Sequence, residues 1–125
     1  MNVPEDLHYT SDHEWVKVTG ATVRIGITDY AQDALGDVVF IQLPTTGASV
    51  NAHDSFSEIE STKSVNDVYA PVAGTVIAIN DDLSSSPELL NTDPYGRGWI
   101  CEIESSNVDV SELLTPAQYR ELIGA

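Results

Sequence analysis

The chain contains one cysteine, Cys101, among its 125 residues. A single cysteine excludes an internal disulfide and any metal site that needs a pair of cysteines. In residues 99–104, Cys101 alternates with glutamates and shares a face with Trp99 and Ile103. The alternation predicts that this face points inward. We therefore expect Cys101 to be a buried, inert thiol and not a nucleophile.

Basic residues are also scarce. Five lysines and arginines stand against twenty aspartates and glutamates, for a formal net charge of −15. This charge repels the phosphates of nucleic acids and anionic lipid surfaces, and it makes basic protein surfaces the natural partners. The alternative is that the acidity only keeps the protein soluble, and composition does not decide between the two.

Long apolar runs are absent as well, since no run approaches the roughly 18 residues of a membrane span. With 42% hydrophobic and 20% charged residues, the composition is typical of a globular protein. Residues 1–6 lack the basic lead and apolar block of a secretory signal and the arginine-rich pattern of a transit peptide. The cytoplasm is therefore the expected location.

Short alternating runs, separated by turn residues, are the main pattern in the chain and are typical of a β-barrel or β-sandwich. A chain of this length is expected to form a single domain, residues 1–125. Two helices are predicted in addition. Thr28 caps the first, which ends at Gly36, and Thr115 with Gln118 opens the last, which ends at Gly124. The predicted strands are residues 15–18, 22–27, 38–43, 56–61, 65–70, 75–79 and 99–104.

The two halves of the chain resemble each other weakly. Residues 36–41 lead to residues 57–61, and the similar residues 74–79 lead, across a longer insert, to residues 101–105. The repeat favours two halves related by a pseudo-twofold axis, joined by the segment between them. A chance likeness is the alternative, because valine-rich strands are common.

Lys63 lies alone in an acidic stretch between two predicted strands. Residues 61–64 are therefore predicted to form the tip of a β-hairpin. A lysine at such a tip is accessible and held in a fixed position, as an enzyme that modifies the amine requires. Without further context, an ordinary turn lysine that balances neighbouring acids is the commoner case. Lys17, the other lysine, lies within a predicted strand.

Signatures of an active site are missing. The chain has no nucleophile elbow, phosphate loop, dinucleotide-binding glycine motif or zinc-protease motif, and its three histidines are scattered. Glu58 and Glu60 are predicted on the solvated face of a strand, and Asp81 with Asp82 in a turn or helix cap that lacks the ligand spacing of a calcium loop. The glycines beside Arg97 indicate a turn. We expect no catalytic residue, no metal site and no enzymatic activity.

Residues 60–74, Glu-Ser-Thr-Lys-Ser-Val-Asn-Asp-Val-Tyr-Ala-Pro-Val-Ala-Gly, resemble the lipoyl-lysine segment of glycine cleavage system H proteins. Supporting segments follow in the same order over residues 7–122, which makes the resemblance specific. The chain departs from the common family pattern at Thr62-Lys63-Ser64, where Val-Lys-Ala is frequent, and at Tyr30, where a histidine often stands. The supporting segments are residues 13–15, 26–32, 35–40, 86–89, 94–96 and 98–99.

Two related carrier families differ at the same residues. Biotin carriers place methionines around the lysine, where this chain has Thr62 and Ser64. Lipoyl domains of 2-oxo acid dehydrogenases are shorter and usually show Asp-Lys-Ala. The resemblance therefore implies a mainly β, barrel-sandwich hybrid of short antiparallel strands with a lysine-bearing hairpin, and a carrier without catalysis of its own.

The resemblance also implies a cofactor and partners. Lipoate would be amide-linked to Lys63. A glycine decarboxylase would load an aminomethyl group, an aminomethyltransferase would pass the one-carbon unit to tetrahydrofolate, and a dihydrolipoyl dehydrogenase would reoxidise the arm. Lipoate-attaching enzymes complete the set, nucleic acids and membranes are not expected partners, and we expect a monomer. Relay of lipoate to other lipoate-dependent complexes is an alternative, and a biotin carrier is a further one.

An acidic cleft is the final expectation. The loaded arm carries an amine and a thioether on one carbon, so a free nitrogen lone pair could expel the thiolate and lose the carbon as formaldehyde. A carboxylate in a partly desolvated cleft keeps that amine protonated. We predict that Asp67 and Glu14, which match acidic cleft residues of the family, supply this cleft, with Asp12 as a helper. The alternative, for Asp12 above all, is a solvated surface acid.

Overall fold

The computed structural model describes residues 1–106 and 108–125. Its strands within these ranges are β1 (His8–Tyr9), β2 (Glu14–Thr19), β3 (Thr22–Ile27), β4 (Val38–Gln42), β5 (Ser49–Val50), β6 (Ser55–Ser61), β7 (Val65–Tyr69), β8 (Gly74–Ile79) and β9 (Cys101–Glu104). Its helices are α1 (Asp29–Leu35), α2 (Asp82–Ser85), α3 (Leu89–Thr92) and α4 (Pro116–Ile123), with a 3₁₀ turn at Val110–Glu112.

The strands form two sheets in which every neighbouring pair is antiparallel. The larger sheet has the order β1-β2-β3-β9-β8-β5, and the smaller has the order β4-β6-β7. A hairpin joins β2 to β3 and another joins β6 to β7, as the sequence predicts. The expected mainly β architecture is confirmed.

Buried aliphatic side chains from both sheets pack into one core. Along β6 the burial alternates: Ser57, Ile59 and Ser61 are buried, and Glu58 and Glu60 are exposed, as predicted. This period of two is what a strand with one solvated face requires. A second, smaller cluster lies beneath α4 and the N-terminal residues. It contains Val3, Leu7, Tyr9, Trp15 and Tyr119.

The two predicted helices begin and end where their capping residues stand. The Thr28 hydroxyl accepts a hydrogen bond from the amide of Ala31, and Gly36 ends α1 with a positive φ of 81°. Thr115 and Gln118 form a reciprocal capping box at the start of α4. Because these side chains pair backbone groups that no helical bond can reach, they set the helix boundaries.

The prediction for residues 99–104 is partly wrong. The strand β9 begins at Cys101, so Trp99 lies before it and does not share the inward face. Trp99 is half-buried, and the guanidinium carbon of Arg24 lies 4.4 Å from its ring centroid. Cys101 and Ile103 are fully buried, as predicted. Burial, with a smaller contribution from Glu102, raises the pKa of the Cys101 thiol to about 12, which makes it a poor nucleophile.

Several short elements are absent from the sequence prediction. The strands β1 and β5 have two residues each, α2 and α3 have four, and the 3₁₀ turn has three. Such segments are too short to show a hydrophobic period. Asp81 stands at the start of α2 without a side-chain capping bond, and Arg97 lies in a turn. In the described ranges, every helix is too short or too polar to span a bilayer.

The weak internal repeat corresponds to two similar strand pairs. The pair β4–β6 is irregular between Val38 and Phe40, and the pair β8–β9 is irregular between Val76 and Ala78. Ile41 faces Ile59, and Ile79 faces Cys101. This register makes Ile59 and Cys101 equivalent, whereas the sequence alignment paired Ser57 with Cys101. The alignment is therefore displaced by two residues, a shift that keeps the same face of the strand buried.

Candidate functional site

The turn between β6 and β7 presents Lys63. The Ser61 amide donates to the Ser64 carbonyl oxygen at 2.8 Å, and the Ser61 hydroxyl oxygen accepts from the amides of Lys63 at 3.3 Å and Ser64 at 3.1 Å. The Thr62 amide donates to the carbonyl oxygen of Asp37 at 3.0 Å. Hydrogen bonds within the turn and to Asp37 thus fix the backbone of the tip, while Lys63 is exposed. Sequence reasoning missed the role of Ser61, although serine at a turn is a signal of such bonding.

The aliphatic stem of Lys63 lies against Gly36, the residue that ends α1. A Cβ at Gly36 would come within 2.9 Å of Lys63 Cε and 3.7 Å of its Nζ. The positive φ is what favours glycine here, and a side chain at this position would also displace the flexible end of Lys63. Asn91 fixes the backbone on both sides of Asp37, since its side chain donates to the Gly36 carbonyl oxygen at 2.8 Å and accepts from the Val38 amide at 2.9 Å.

A groove of about 540 Å³ lies beside the lysine turn, between the segment 11–14, α1 and β7. We call it the arm groove. It begins at Ser64, the neighbour of Lys63, and all three predicted acids, Asp12, Glu14 and Asp67, line it. The structure thus brings together residues from three separate parts of the chain. Its apolar lining consists of Ile27, Ala31, Ala34, Leu35, Ile59, Val65 and Val68.

Glu14 is the one buried acid of the three, with 2% of its surface exposed. Its carboxyl oxygens accept from the Thr10 hydroxyl at 2.7 Å and from the Tyr69 amide at 3.1 Å. Burial raises the pKa of Glu14 from 4.5 to about 7, although these two hydrogen bonds oppose the shift. A cation in the arm groove would favour the ionised carboxylate, which its two donors already orient.

Asp67 and Asp12 lie at the rim of the arm groove and are exposed. Asp67 projects from β7, where its carboxylate accepts from the Ser55 hydroxyl at 3.0 Å. Because solvent and salt screen exposed charges, each rim acid attracts a cation more weakly than a buried carboxylate does. The arm groove therefore has one strong candidate for binding an amine, Glu14, and two weaker ones.

Tyr119 on α4 ties together two walls of the arm groove. Its buried hydroxyl lies 2.9 Å from Nδ1 of His13 and 2.7 Å from the hydroxyl oxygen of Thr28, the residue that caps α1. The Thr28 amide also donates to the His13 carbonyl oxygen at 3.0 Å. The segment that carries Asp12 and Glu14 is thereby fixed to the start of α1. Sequence reasoning missed this network, since Tyr119 is 106 residues from His13.

One assignment of donors satisfies every polar atom in the network of Thr28, Tyr119 and His13. In this assignment the Thr28 hydroxyl, which accepts from the Ala31 amide, donates to Tyr119, and Tyr119 donates to Nδ1 of His13. Neutral His13 then carries its proton on Nε2. Burial lowers the pKa of His13, against the opposing charge of Asp12, which favours this neutral form.

Tyr30, one of the departures from the family pattern, packs against the same histidine. The ring centroids of His13 and Tyr30 lie 4.6 Å apart at an interplanar angle of 36°. His13 also has a positive φ of 69°, which is unusual for a residue with a side chain. Contacts with Tyr30 and Tyr119 hold it there.

Comparison with known proteins supports one family. The family model described as "Glycine cleavage H-protein" matches residues 7–125. The glycine cleavage system H protein of Mycobacterium avium (strain 104) is 59% identical over 112 residues, which are 89% of this chain and 85% of that protein. That of Mycolicibacterium vanbaalenii is 57% identical over 123 residues, 94% of each chain.

A solved structure agrees with the fold. The crystal structure of a glycine cleavage system H protein from Mycobacterium marinum superposes with a TM-score of 0.91 at 41% sequence identity. The match covers 98% of this chain and 99% of the other.

The buried position of Glu14 predicts a pH-dependent stability. Because its folded pKa is raised, protonated Glu14 stabilises the fold at low pH, and this contribution is lost as the pH rises from about 4.5 to about 7. The variant Glu14→Gln removes the effect. Relative to the parent, its free energy of unfolding should rise by up to about 3 kcal/mol between pH 5 and pH 8, measured by urea unfolding. A difference that does not vary with pH would contradict the assignment.

The Tyr119 network predicts a specific effect of Tyr119→Phe. The loss of the hydroxyl removes the bond of the Thr28 hydroxyl to Tyr119 and leaves Nδ1 of His13 without its partner, so we expect a loss of about 1–2 kcal/mol of stability and faster amide exchange in α1 and residues 10–14. Nitrogen NMR shifts of the His13 ring should show a changed tautomer ratio.

Tyr9→Phe is the matched control for that variant. Tyr9 stacks on Tyr119 at 4.6 Å between centroids, but its hydroxyl donates to the Pro4 carbonyl oxygen. It should show a similar loss of stability with an unchanged His13 ring. Equal His13 spectra in both variants would refute the role of the Tyr119 hydroxyl.

Proposed function

The chain belongs to the family of glycine cleavage H-proteins and is thus a non-catalytic lipoyl carrier of the glycine cleavage system, and on that basis we propose that Lys63 is the residue that carries lipoate. The observation that carries this proposal is the exposed Lys63 turn at the edge of the arm groove. The turn is held by internal hydrogen bonds, so a modifying enzyme meets the amine in a constant position.

Lys17 is the natural comparison, because it is the only other lysine. It lies in the middle of β2, directly opposite Arg24 on β3. A strand interior cannot enter the active site of another enzyme as a protruding turn can. Lys63 is thus favoured for modification by its place in the fold as well as by its sequence.

The lining of the arm groove suits both parts of a loaded lipoyl arm, its apolar chain and its terminal amine. Lipoate supplies a disulfide-containing arm that takes up and releases the aminomethyl group. Aliphatic side chains of α1, β6 and β7 provide an apolar surface for the arm, and Glu14 provides a buried carboxyl for a terminal amine. These residues hold the amine protonated, orient it through Glu14, and limit its contact with water.

The specific partners follow from this role. We infer that glycine decarboxylase loads the aminomethyl group, that aminomethyltransferase removes it, that dihydrolipoyl dehydrogenase reoxidises the arm, and that a lipoate-attaching enzyme modifies Lys63. We also propose that residues 1–125 act as one carrier domain. One core that joins both sheets and a family match over residues 7–125 support this.

The attachment site is tested by mass and by reconstitution. Intact mass of the protein after treatment with a lipoate ligase should rise by one lipoyl increment, and peptide mapping should place it on Lys63. The variant Lys63→Arg should gain no mass and should abolish glycine breakdown with the other components. Lys17→Arg is the control and should behave like the parent. Glycine breakdown in the reconstituted system with Lys63→Arg would refute the proposal. So would a mass increment on Lys63 that corresponds to biotin.

The role of the acids is tested by the stability of the loaded arm. Release of formaldehyde and ammonia from the loaded arm should become about tenfold faster in Glu14→Gln and about threefold faster in Asp67→Asn, because the amine then loses its proton more easily and its lone pair expels the thiolate. Glu104→Gln, on the exposed face of the other sheet, makes the same change of charge outside the groove and should match the parent. Equal rates in all three variants would exclude the acids from this role.

A further inference from the structure

Three of the five basic side chains of the protein line one groove, although acids outnumber bases by twenty to five. This groove has a volume of about 460 Å³, and its cations are Lys17, Arg24 and Arg97. We call it the basic groove. It shares no lining residue with the arm groove. Its aromatic lining residues are Trp15, Tyr95 and Trp99.

The arrangement of these cations is unfavourable for the folded protein by itself. Lys17 and Arg24 stand directly opposite each other on β2 and β3. Like charges in this position destabilise a sheet. Arg24 is partly compensated, since its Nε donates to Glu102 at 3.1 Å and its guanidinium stacks over Trp99.

The other two cations are not used by the fold. Among the described residues, the side chains of Lys17 and Arg97 form no salt bridge and no hydrogen bond. A chain with a net charge of −15 thus leaves two cations unpaired at one place. An external anion would satisfy them.

We propose that the basic groove docks an acidic segment of a partner protein, namely one of the enzymes that act on the lipoyl arm. This inference rests on the proposed function. The three cations come from two strands and from the turn that contains Arg97, and the carboxylates of Asp6 and Asp93 also line the groove. An extended segment, in which acidic and apolar side chains alternate, can contact separate cations and the aromatic rings, whereas a free phosphate needs donors that converge on one point.

The aromatic residues give the groove a fixed apolar part. The Tyr95 hydroxyl donates to the Asn2 carbonyl oxygen at 2.6 Å and accepts from the Asp29 amide at 2.9 Å, so its ring is held in place. Trp15 is fully buried beneath this turn, where its indole donates to the Pro94 carbonyl oxygen at 2.9 Å, so the aromatic surface that a partner can reach belongs to Tyr95 and Trp99. Rigid aromatic surfaces of this kind bind partner side chains at a low cost in entropy.

The location of the groove also defines how the partner is oriented. The acidic remainder of the surface repels an acidic segment, so attraction is confined to the basic groove. The partner's acidic segment therefore positions that enzyme relative to the carrier without occupying the arm groove. Lys63 and its turn stay free to enter the partner's active site.

The test compares two variants of equal net charge with the lipoylated parent. Lys17→Ser/Arg97→Ser removes two cations from the basic groove, and Thr46→Asp/Ser84→Asp adds two negative charges at exposed positions elsewhere. Steady-state kinetics with each of the three enzymes, at several salt concentrations, gives KM and kcat for the carrier. We expect the groove variant to raise KM about fivefold for at least one enzyme, with kcat unchanged and a weaker dependence on salt. We expect the control to change KM by less than about twofold.

Three outcomes are decisive. Equal KM values for the groove variant and the control with every enzyme would overturn the proposal. The proposal would also be overturned if inorganic phosphate shifted the NMR signals of Lys17 and Arg97 in the parent while KM was unchanged in the groove variant. The groove would then be a small-anion site. A rise in KM with an equal or higher melting temperature would support docking and exclude unfolding as its cause. Lipoylation of Lys63 in the groove variant, measured by intact mass, tests the proposed attachment site independently of docking.

Discussion

The pairing register of β6 and β7 is the constraint on which the site depends. It places Ile59 opposite Asn66 and Glu58 opposite Asp67, so that Ile59 faces the core and the acids face solvent. A slip by one residue would turn Ile59 outward and bury two glutamates without partners. The same register ends the hairpin at the turn that carries Lys63 and puts Asp67 at the rim of the arm groove. Core packing in the small sheet and presentation of the lysine are therefore one structural requirement.

Charge is distributed unevenly over this frame. The buried carboxyl of Glu14, with its two fixed donors, lies where a protonated amine would be expected, and exposed acids surround it. The few cations lie mainly in a different groove, on the outer face of β2 and β3 and in the turn of residues 94–98. Asp12, Glu14 and Asp67 line the arm groove, whereas three cations outnumber Asp6 and Asp93 in the basic groove. This difference in charge is the basis for proposing an amine as the ligand of the first groove and an acidic segment as the ligand of the second. A carrier that must hold its cargo and still meet several enzymes benefits from keeping these two tasks on separate surfaces.

The network of Tyr119 explains why a terminal helix matters to a site formed by distant residues. Tyr119 links His13 to Thr28, and Thr28 caps the helix whose last residue is followed by Gly36. Gly36 in turn makes room for the stem of Lys63. The contacts run continuously from α4 through α1 to the lysine, and each one is a hydrogen bond or a close packing contact. These contacts connect the walls of the arm groove to one another.

The sequence by itself determined the local features of this protein. Alternation showed the buried face of β6, the capping residues Thr28 and Thr115 marked the helices, and the motif around Lys63 indicated the carrier family. Only the tertiary structure decided that Glu14 is buried beside Tyr69, that Trp99 lies outside its strand, and that cations from separate elements share a groove. The reason is physical. Periodicity and capping depend on neighbours within a few residues, whereas burial and the resulting pKa shifts depend on segments that packing brings together from anywhere in the chain.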